Sequence, residues 1–147
     1  MPKIADTHIV NRERVQPTHA NNYESAHGGI VMKWMDEIGA MSAMRAAEQS
    51  CVTAQMSSVD FERPIPIGDN ALVESYAYAT GETSVRIHIE VSAENPHTGE
   101  TELTTSAYAT FVAIEDGTPT PVPDLKVEGE KCKELQEKAL AEEPERE

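Results

Sequence analysis

The sequence is short of cysteine, of positive charge and of long apolar runs, and each shortage closes off a class of protein. Among its 147 residues only Cys51 and Cys132 are cysteines. They lie far apart, and neither has the paired Cys or His spacing of a zinc site, so no metal is expected. Two such thiols fit free cysteines in a reducing interior, with one disulfide as the alternative. A domain of this size buries about 68–70% of its unfolded surface and needs no covalent staple. No apolar run reaches the roughly 18 residues of a membrane span. Met1-Pro2-Lys3-Ile4-Ala5-Asp6 lacks the apolar core of a signal peptide. The chain is therefore expected to be soluble and cytoplasmic, with no membrane partner.

Positive charge is the third scarcity. Twelve Lys and Arg stand against 26 Asp and Glu, for a formal net charge of −14. That field repels phosphate backbones and argues against nucleic acid as a partner. A polyanionic ligand would need local basic groups. Part of the acidic excess sits in the tail, at Glu128, Glu130, Glu134, Glu137, Glu142, Glu143, Glu145 and Glu147. Two readings stay open, a halophilic adaptation to a salt-rich cytosol and an ordinary acidic protein. Also missing are a Gly-rich phosphate loop, an HExxH metal pair and a GxSxG nucleophile elbow.

What is present orders itself simply. Thr7 to Val15 reads as a first extended segment, and residues 16–27 as a polar loop. Gly28-Gly29 then opens a long Ala- and Met-rich run to Ala47, too long for a strand. Apolar residues fall on nearly every side of it, which predicts a buried helix about 27 Å long. Strands are expected at Cys51–Phe61, Ala71–Thr80, Ser84–Glu94 and Thr101–Ile114. The third of these alternates cleanly, with Val85, Ile87, Ile89, Val91 and Ala93 on one face. Asn95-Pro96-His97-Thr98-Gly99 is a turn. The fold class is α+β, a five-stranded antiparallel curved sheet around one central helix. An open sheet with its helix on one face is the alternative. Residues 1–124 make the domain, and 125–147 a charged C-terminal helix or tail that frays at its end.

Three features could carry chemistry. His27-Gly28-Gly29 precedes the helix, where free backbone N–H groups and the positive dipole end can hold an oxyanion. The glycines could equally serve a tight turn. Asp36-Glu37 lies mid-helix. Asp36 is either a solvated partner of Lys33, three residues earlier, or a desolvated base or nucleophile. Asn21 either makes a turn or orients water or a carbonyl. Asp36 is seven residues past Gly29, about 10 Å along a helix, so one bond cannot be served by both within one chain. A two-fold dimer would create two composite sites. His8, His19, His88 and His97 are isolated and are expected at the surface. Ser57 and Ser58 read as ordinary strand residues.

These pieces together resemble the hotdog-fold acyl-CoA hydrolases of the cytosolic brain-type and bacterial broad-specificity group, over roughly Thr7 to Pro121. The resemblance rests on Pro17-Thr18-His19-Ala20-Asn21 with His27-Gly28-Gly29, and on Trp34-Met35-Asp36-Glu37-Ile38-Gly39-Ala40. It rests further on Asp60-Phe61-Glu62-Arg63-Pro64 with Ile67-Gly68-Asp69, and on Val91 to Gly99 and Thr110 to Ala113. The family often has glycine shortly after the Asn, where this chain has Tyr23-Glu24, a departure that bears on the loop carrying Asn21. The resemblance implies an acyl-CoA thioesterase that works as a homodimer or a trimer of dimers. Gly29 and the helix N-terminus would form its oxyanion site, Asp36 from the partner chain would be base or nucleophile, and Asn21 would place water or thioester. Thr83, Ser84 and Arg86 resemble a stretch near the nucleotide, with Arg63 and Lys126 as further candidates. No cofactor is implied beyond the CoA of the substrate. The rival functions are a non-catalytic acyl-CoA sensor and a hotdog hydratase, for which His27 is the one histidine near the site.

Overall fold

The computed structural model describes residues 1–144. Five long strands form one antiparallel sheet: β1 (Ile9–Arg14), β2 (Cys51–Phe61), β3 (Asn70–Thr80), β4 (Ser84–Glu94) and β5 (Thr101–Glu115). Their order across the sheet is β1-β3-β4-β5-β2, and a two-residue β6 (Thr118–Pro119) pairs with β5. A long helix, α1 (Gly28–Ala47), lies against one face, and a shorter one, α2 (Glu130–Ala141), covers part of the other. Among the described residues no helix is long and apolar enough to cross a membrane.

Period-two alternation decides which face of the sheet is the core. Val85, Ile87, Ile89 and Val91 of β4 point at α1 and are fully buried. Val73 and Ala77 of β3 and Ala107, Phe111 and Ala113 of β5 join them. From the helix come Val31, Trp34, Met35 and Ile38. Burying a side chain of this size contributes about 1.5–3 kcal/mol. Gly39 marks a close approach of helix and sheet. A Cβ there would stand 3.1 Å from Ile89 Cδ1. One polar contact crosses this core: Ser42 and Ser75 share a 2.6 Å hydrogen bond, and Ser75 Oγ donates to the Ile38 carbonyl.

The helix is not buried on all sides, as its composition had suggested. Met32, Met41 and Met44 remain 38–46% exposed, and Lys33, Glu37, Arg45 and Glu48 share that side. The sheet curls around one face only. The opposite edge of the domain is also open: β2 pairs only with β5, and most of its residues are exposed, Val52 and Phe61 each at 51%.

Of the helix or tail expected at the C-terminus, the structure has the helix, and it docks on the sheet. Residues Ile4, Tyr76, Tyr78, Tyr108, Cys132 and Ala139 form a second buried cluster on the outer face of the sheet. Tyr76 and Tyr108 donate their phenol protons to the Leu135 and Ala139 carbonyls of α2, both at 2.6 Å. Tyr78 donates to Glu143. Desolvation pushes the Tyr108 phenol up to about 12, and pushes Tyr76 and Tyr78 further still. Both cysteines are free thiols, Cys132 being buried in the first turn of α2.

Candidate active site

The loop before α1 is built around Asn21. Its Oδ1 accepts from the Tyr23 and Ser25 N–H groups, at 2.8 and 3.3 Å, and from the Ser25 hydroxyl at 3.3 Å. This is the side-chain turn that Asn makes readily. It fixes the carboxamide, and leaves the Nδ2 donors without a partner among the described residues. Glu24 takes a left-handed φ of 60°, the conformation glycine favours. The loop thus keeps a glycine-type shape at the place where the sequence departs from the family pattern, at a cost in strain.

Asn21, Gly28, Val31, Phe61 and Arg63 line a cavity of about 320 Å³ at the N-terminus of α1. Gly28 is close to the Phe61 ring, and a Cβ on it would sit 3.6 Å from Phe61 Cζ. His27 is the N-cap of the helix. Its Nδ1 accepts the Gly29 N–H at 2.9 Å. The amide that the sequence pointed to as an oxyanion donor is therefore occupied by the neighbouring imidazole. The Gly28 N–H, by contrast, meets no acceptor among the described residues.

Asp36 stands two turns further along, half-buried, and does not line this cavity. Among the described residues it forms no ion pair with Lys33. Instead Thr53, on β2, donates to Asp36 Oδ1 at 2.5 Å. That bond anchors one oxygen and leaves Oδ2 open. Sequence reasoning missed Thr53, because a lone threonine in a β-rich run carries no signal of a partner in a distant helix.

The nucleotide candidates are scattered. Thr83 and Ser84 lie at the β3–β4 turn, beside the start of β2. Ser84 pairs in register with Val112, as does Val52. They share the Thr53 end of the sheet, not the Asn21 end. Arg86 lies on the outer face, 3.7 Å from Glu143. Arg63 borders the Asn21 cavity but is held by Glu102 at 2.8 Å and by the Leu103 carbonyl. Lys126 is exposed, with its backbone bonded to the N-terminal segment. The histidines depart from expectation at His88 and in part at His8, which is half-buried with Nε2 3.5 Å from Glu74. His88 is only 4% exposed, covered by α2, whereas His97 is a surface residue. His19 packs edge-on against Trp34 and holds the Gln16 N–H through Nδ1. Among the described residues no group of three or more His, Cys, Asp or Glu could hold a metal ion.

Comparison with known proteins places this geometry. The family model of the thioesterase superfamily matches residues 23–100, which carry the end of the loop after Asn21, then α1, β2, β3 and β4. The chain belongs to the thioesterase superfamily. A Bacillus subtilis relative, the uncharacterized acyl-CoA thioester hydrolase YkhA, is 38% identical over 126 residues, 85% of this chain and 73% of that protein. An apo-hexameric acyl-CoA thioesterase superposes with a TM-score of 0.86 at 35% identity, over 95% of this chain and 90% of that one. The acyl-CoA hydrolase of Staphylococcus aureus, solved with butyryl coenzyme A, coenzyme A and coenzyme A disulfide, gives a TM-score of 0.87 at 29% identity, covering 96% of this chain and 87% of that one. Alanine variants of that hydrolase, each replacing one asparagine, aspartate or threonine, superpose equally on this member of the superfamily.

Proposed function

We propose that the chain hydrolyses acyl-CoA thioesters to CoA and a free carboxylic acid, in composite sites shared by two copies of the chain. The observation that carries this reading is the pairing of two half-sites at opposite ends of one free strand edge. Asn21 and Gly28 lie at the Phe61 end of β2, and Asp36 is bonded to Thr53 near its Cys51 end. If two copies meet antiparallel along their β2 edges, the Phe61 end of one faces the Thr53 end of the other. A two-fold contact of that kind completes two sites at once. The asparagine, aspartate and threonine replaced in the S. aureus hydrolase stand 15 and 17 positions apart. Asn21, Asp36 and Thr53 have the same separations. The hexameric relative supports assembly as a trimer of such dimers.

In this mechanism the thioester carbonyl sits at the N-terminus of α1, with the Gly28 N–H and the helix dipole on the developing oxyanion. Rotation of His27 adds the Gly29 N–H. Asn21 Nδ2 donates to the thioester or the attacking water. Asp36 of the other chain, held through Oδ1 by Thr53, takes the proton of that water at Oδ2. The water oxygen bonds to the carbonyl carbon, the C–S bond breaks, and the departing thiolate takes the proton back from Asp36 to leave as the thiol. Thr83, Ser84 and Arg86, towards the Thr53 end of the sheet, would meet the nucleotide, and Arg63 would do so from the Asn21 side. Binding through Arg63 or Arg86 requires exchange of its present carboxylate partner, and this supplies the local positive charge that an acidic protein lacks elsewhere.

The test is CoA release from a panel of acyl-CoAs by wild type and Asp36→Ala. A folded, assembled variant that loses nearly all release supports the reading. No release by wild type at any chain length or salt concentration would favour a sensor. Interconversion of enoyl and hydroxyacyl thioesters, with the thioester intact, would favour a hydratase.

A further inference from the structure

The residue that caps α1 also closes part of the site at its N-terminus. His27 is the N-cap, and its Nδ1 accepts the Gly29 N–H at 2.9 Å. A donor in an oxyanion site stands about 2.7–3.1 Å from the oxygen it stabilises. Nδ1 therefore occupies the place that an oxyanion on the Gly29 amide would take, and the two cannot be there together. The ring lies across that approach, since a Cβ on Gly29 would stand 3.1 Å from both Nδ1 and Cε1. The Gly28 N–H meets no acceptor among the described residues. Of the two amides, one is ready and one is taken.

The imidazole can leave without disturbing the helix. The His27 main chain is pinned on both sides. Its N–H donates to the His19 carbonyl at 2.8 Å, and its carbonyl accepts the Ile30 and Val31 N–H groups at 2.9 and 3.1 Å. The side chain is exposed, and among the described residues the bond from Gly29 is the one hydrogen bond it makes. A change of side-chain rotamer frees the amide and leaves every main-chain bond in place. What it gives up is one N-cap bond, the kind that holds the first turn of a helix.

We propose that His27 is a positioning residue for the hydrolysis, a latch that holds the Gly29 amide until a thioester displaces the ring. The inference rests on the thioesterase reading and adds to it an opposition between stability and rate. The latched protein has a capped helix and one free oxyanion donor, the Gly28 N–H. The unlatched protein has an uncapped first turn and two donors. Each turnover then begins by exchanging one acceptor for another on the same N–H, Nδ1 for the thioester oxygen. The exchange costs rate, and the cap it sacrifices is what the resting protein gains in stability.

The experiment measures CoA release and thermal unfolding together, on the full chain, for wild type and three substitutions of His27. His27→Leu has no acceptor. It should raise kcat/KM about fivefold and lower the melting temperature by about 3 °C. His27→Asn restores a neutral cap and should return both values towards wild type. His27→Asp also caps the helix, but sets a carboxylate where the oxyanion forms. Its kcat/KM should fall about tenfold or more while the melting temperature holds. A cap with a structural role alone would make activity follow stability, so an unchanged or lowered kcat/KM in His27→Leu overturns the latch. Should that variant not fold, equal kcat/KM in His27→Asn and His27→Asp overturns it instead. Either result with an active wild type leaves the thioesterase reading standing. No CoA release by wild type at any chain length takes down both.

Discussion

On β3, β4 and β5, the side chains facing α1 are mainly Val, Ile, Ala and Phe, whereas those facing away include Tyr, His, Glu and Arg. Both faces are largely covered, but by different chemistry. The inner face is closed by area removed from water, which is non-directional and tolerant of detail. The outer face is closed by α2 and the residues just after it, through three phenol hydrogen bonds, two of them to α2 and one to Glu143, the Lys138–Glu90 ion pair and a small apolar cluster. Those contacts are directional, and each can be removed singly. The comparison suggests a division of labour. The inner face makes the fold, and its helix carries the groups we propose for chemistry. The outer face makes a detachable cover.

The largest effects should come from the inner side. Asp36→Ala should lower kcat by about 10²–10⁴-fold, the usual worth of a positioned general base, with the melting temperature little changed. Steady-state CoA release and thermal unfolding read the two together. Phe111→Ala should cost about 3–5 kcal/mol of stability, measured by denaturant unfolding, because its ring is fully buried against α1 and Gly39. A much smaller loss would mean that the inner core can collapse around the hole. Thr53→Val keeps the shape but removes the bond to Asp36, and should lower kcat about tenfold while KM holds. Restoration by Thr53→Ser would separate the hydroxyl's role from packing.

The outer side should respond more gently. Tyr108→Phe should cost about 1 kcal/mol and raise hydrogen exchange in α2 while the strands stay protected. Alkali should act in the same place. Tyr108 titrates at about 12 in the fold, raised by burial above its ordinary value of 10. The unfolded form therefore ionises first. Its stabilising contribution is whole below pH 10 and is lost as pH rises towards 12. Circular dichroism against pH should show α2 released in that window, and release near neutrality would contradict the account. Smallest is Glu24→Gly, which relieves the left-handed backbone at φ 60° and should add about 1 kcal/mol of stability. A loss of stability there would show that the Glu24 side chain makes up for its strain.

Much of the inner face was legible in the sequence. Cys51–Phe61 and Ser84–Glu94 are strands as expected, and the sheet wraps one long helix, because periodic burial writes itself into residue order. The helix was overread. Its Met residues implied burial on every side, yet Met32, Met41 and Met44 face outward, where the composite-site proposal places a second copy. The outer face was nearly illegible. A tyrosine that bonds a main-chain carbonyl 31 or 59 residues away leaves no local pattern, so a C-terminal helix could be expected but not its docking on the sheet, and His88 read as a surface residue. The same limit hid Thr53, whose partner is 17 residues back and across space. Asn21, Gly28 and Asp36 were legible as types at a spacing, but the capture of the Gly29 amide by His27 was a matter of geometry alone.

The central claim is that each active site takes Asn21 and Gly28 from one chain and Asp36 from another. Mixing two inactive variants tests it directly. Asn21→Ala and Asp36→Ala would be co-refolded in equal amounts, and CoA release compared with that of each variant alone. Each mixed dimer would hold one intact site and one doubly damaged site, so random pairing should restore about a quarter of wild-type activity. Activity no higher than the sum of the two variants, in samples shown to contain mixed dimers, would mean that each site lies within a single chain.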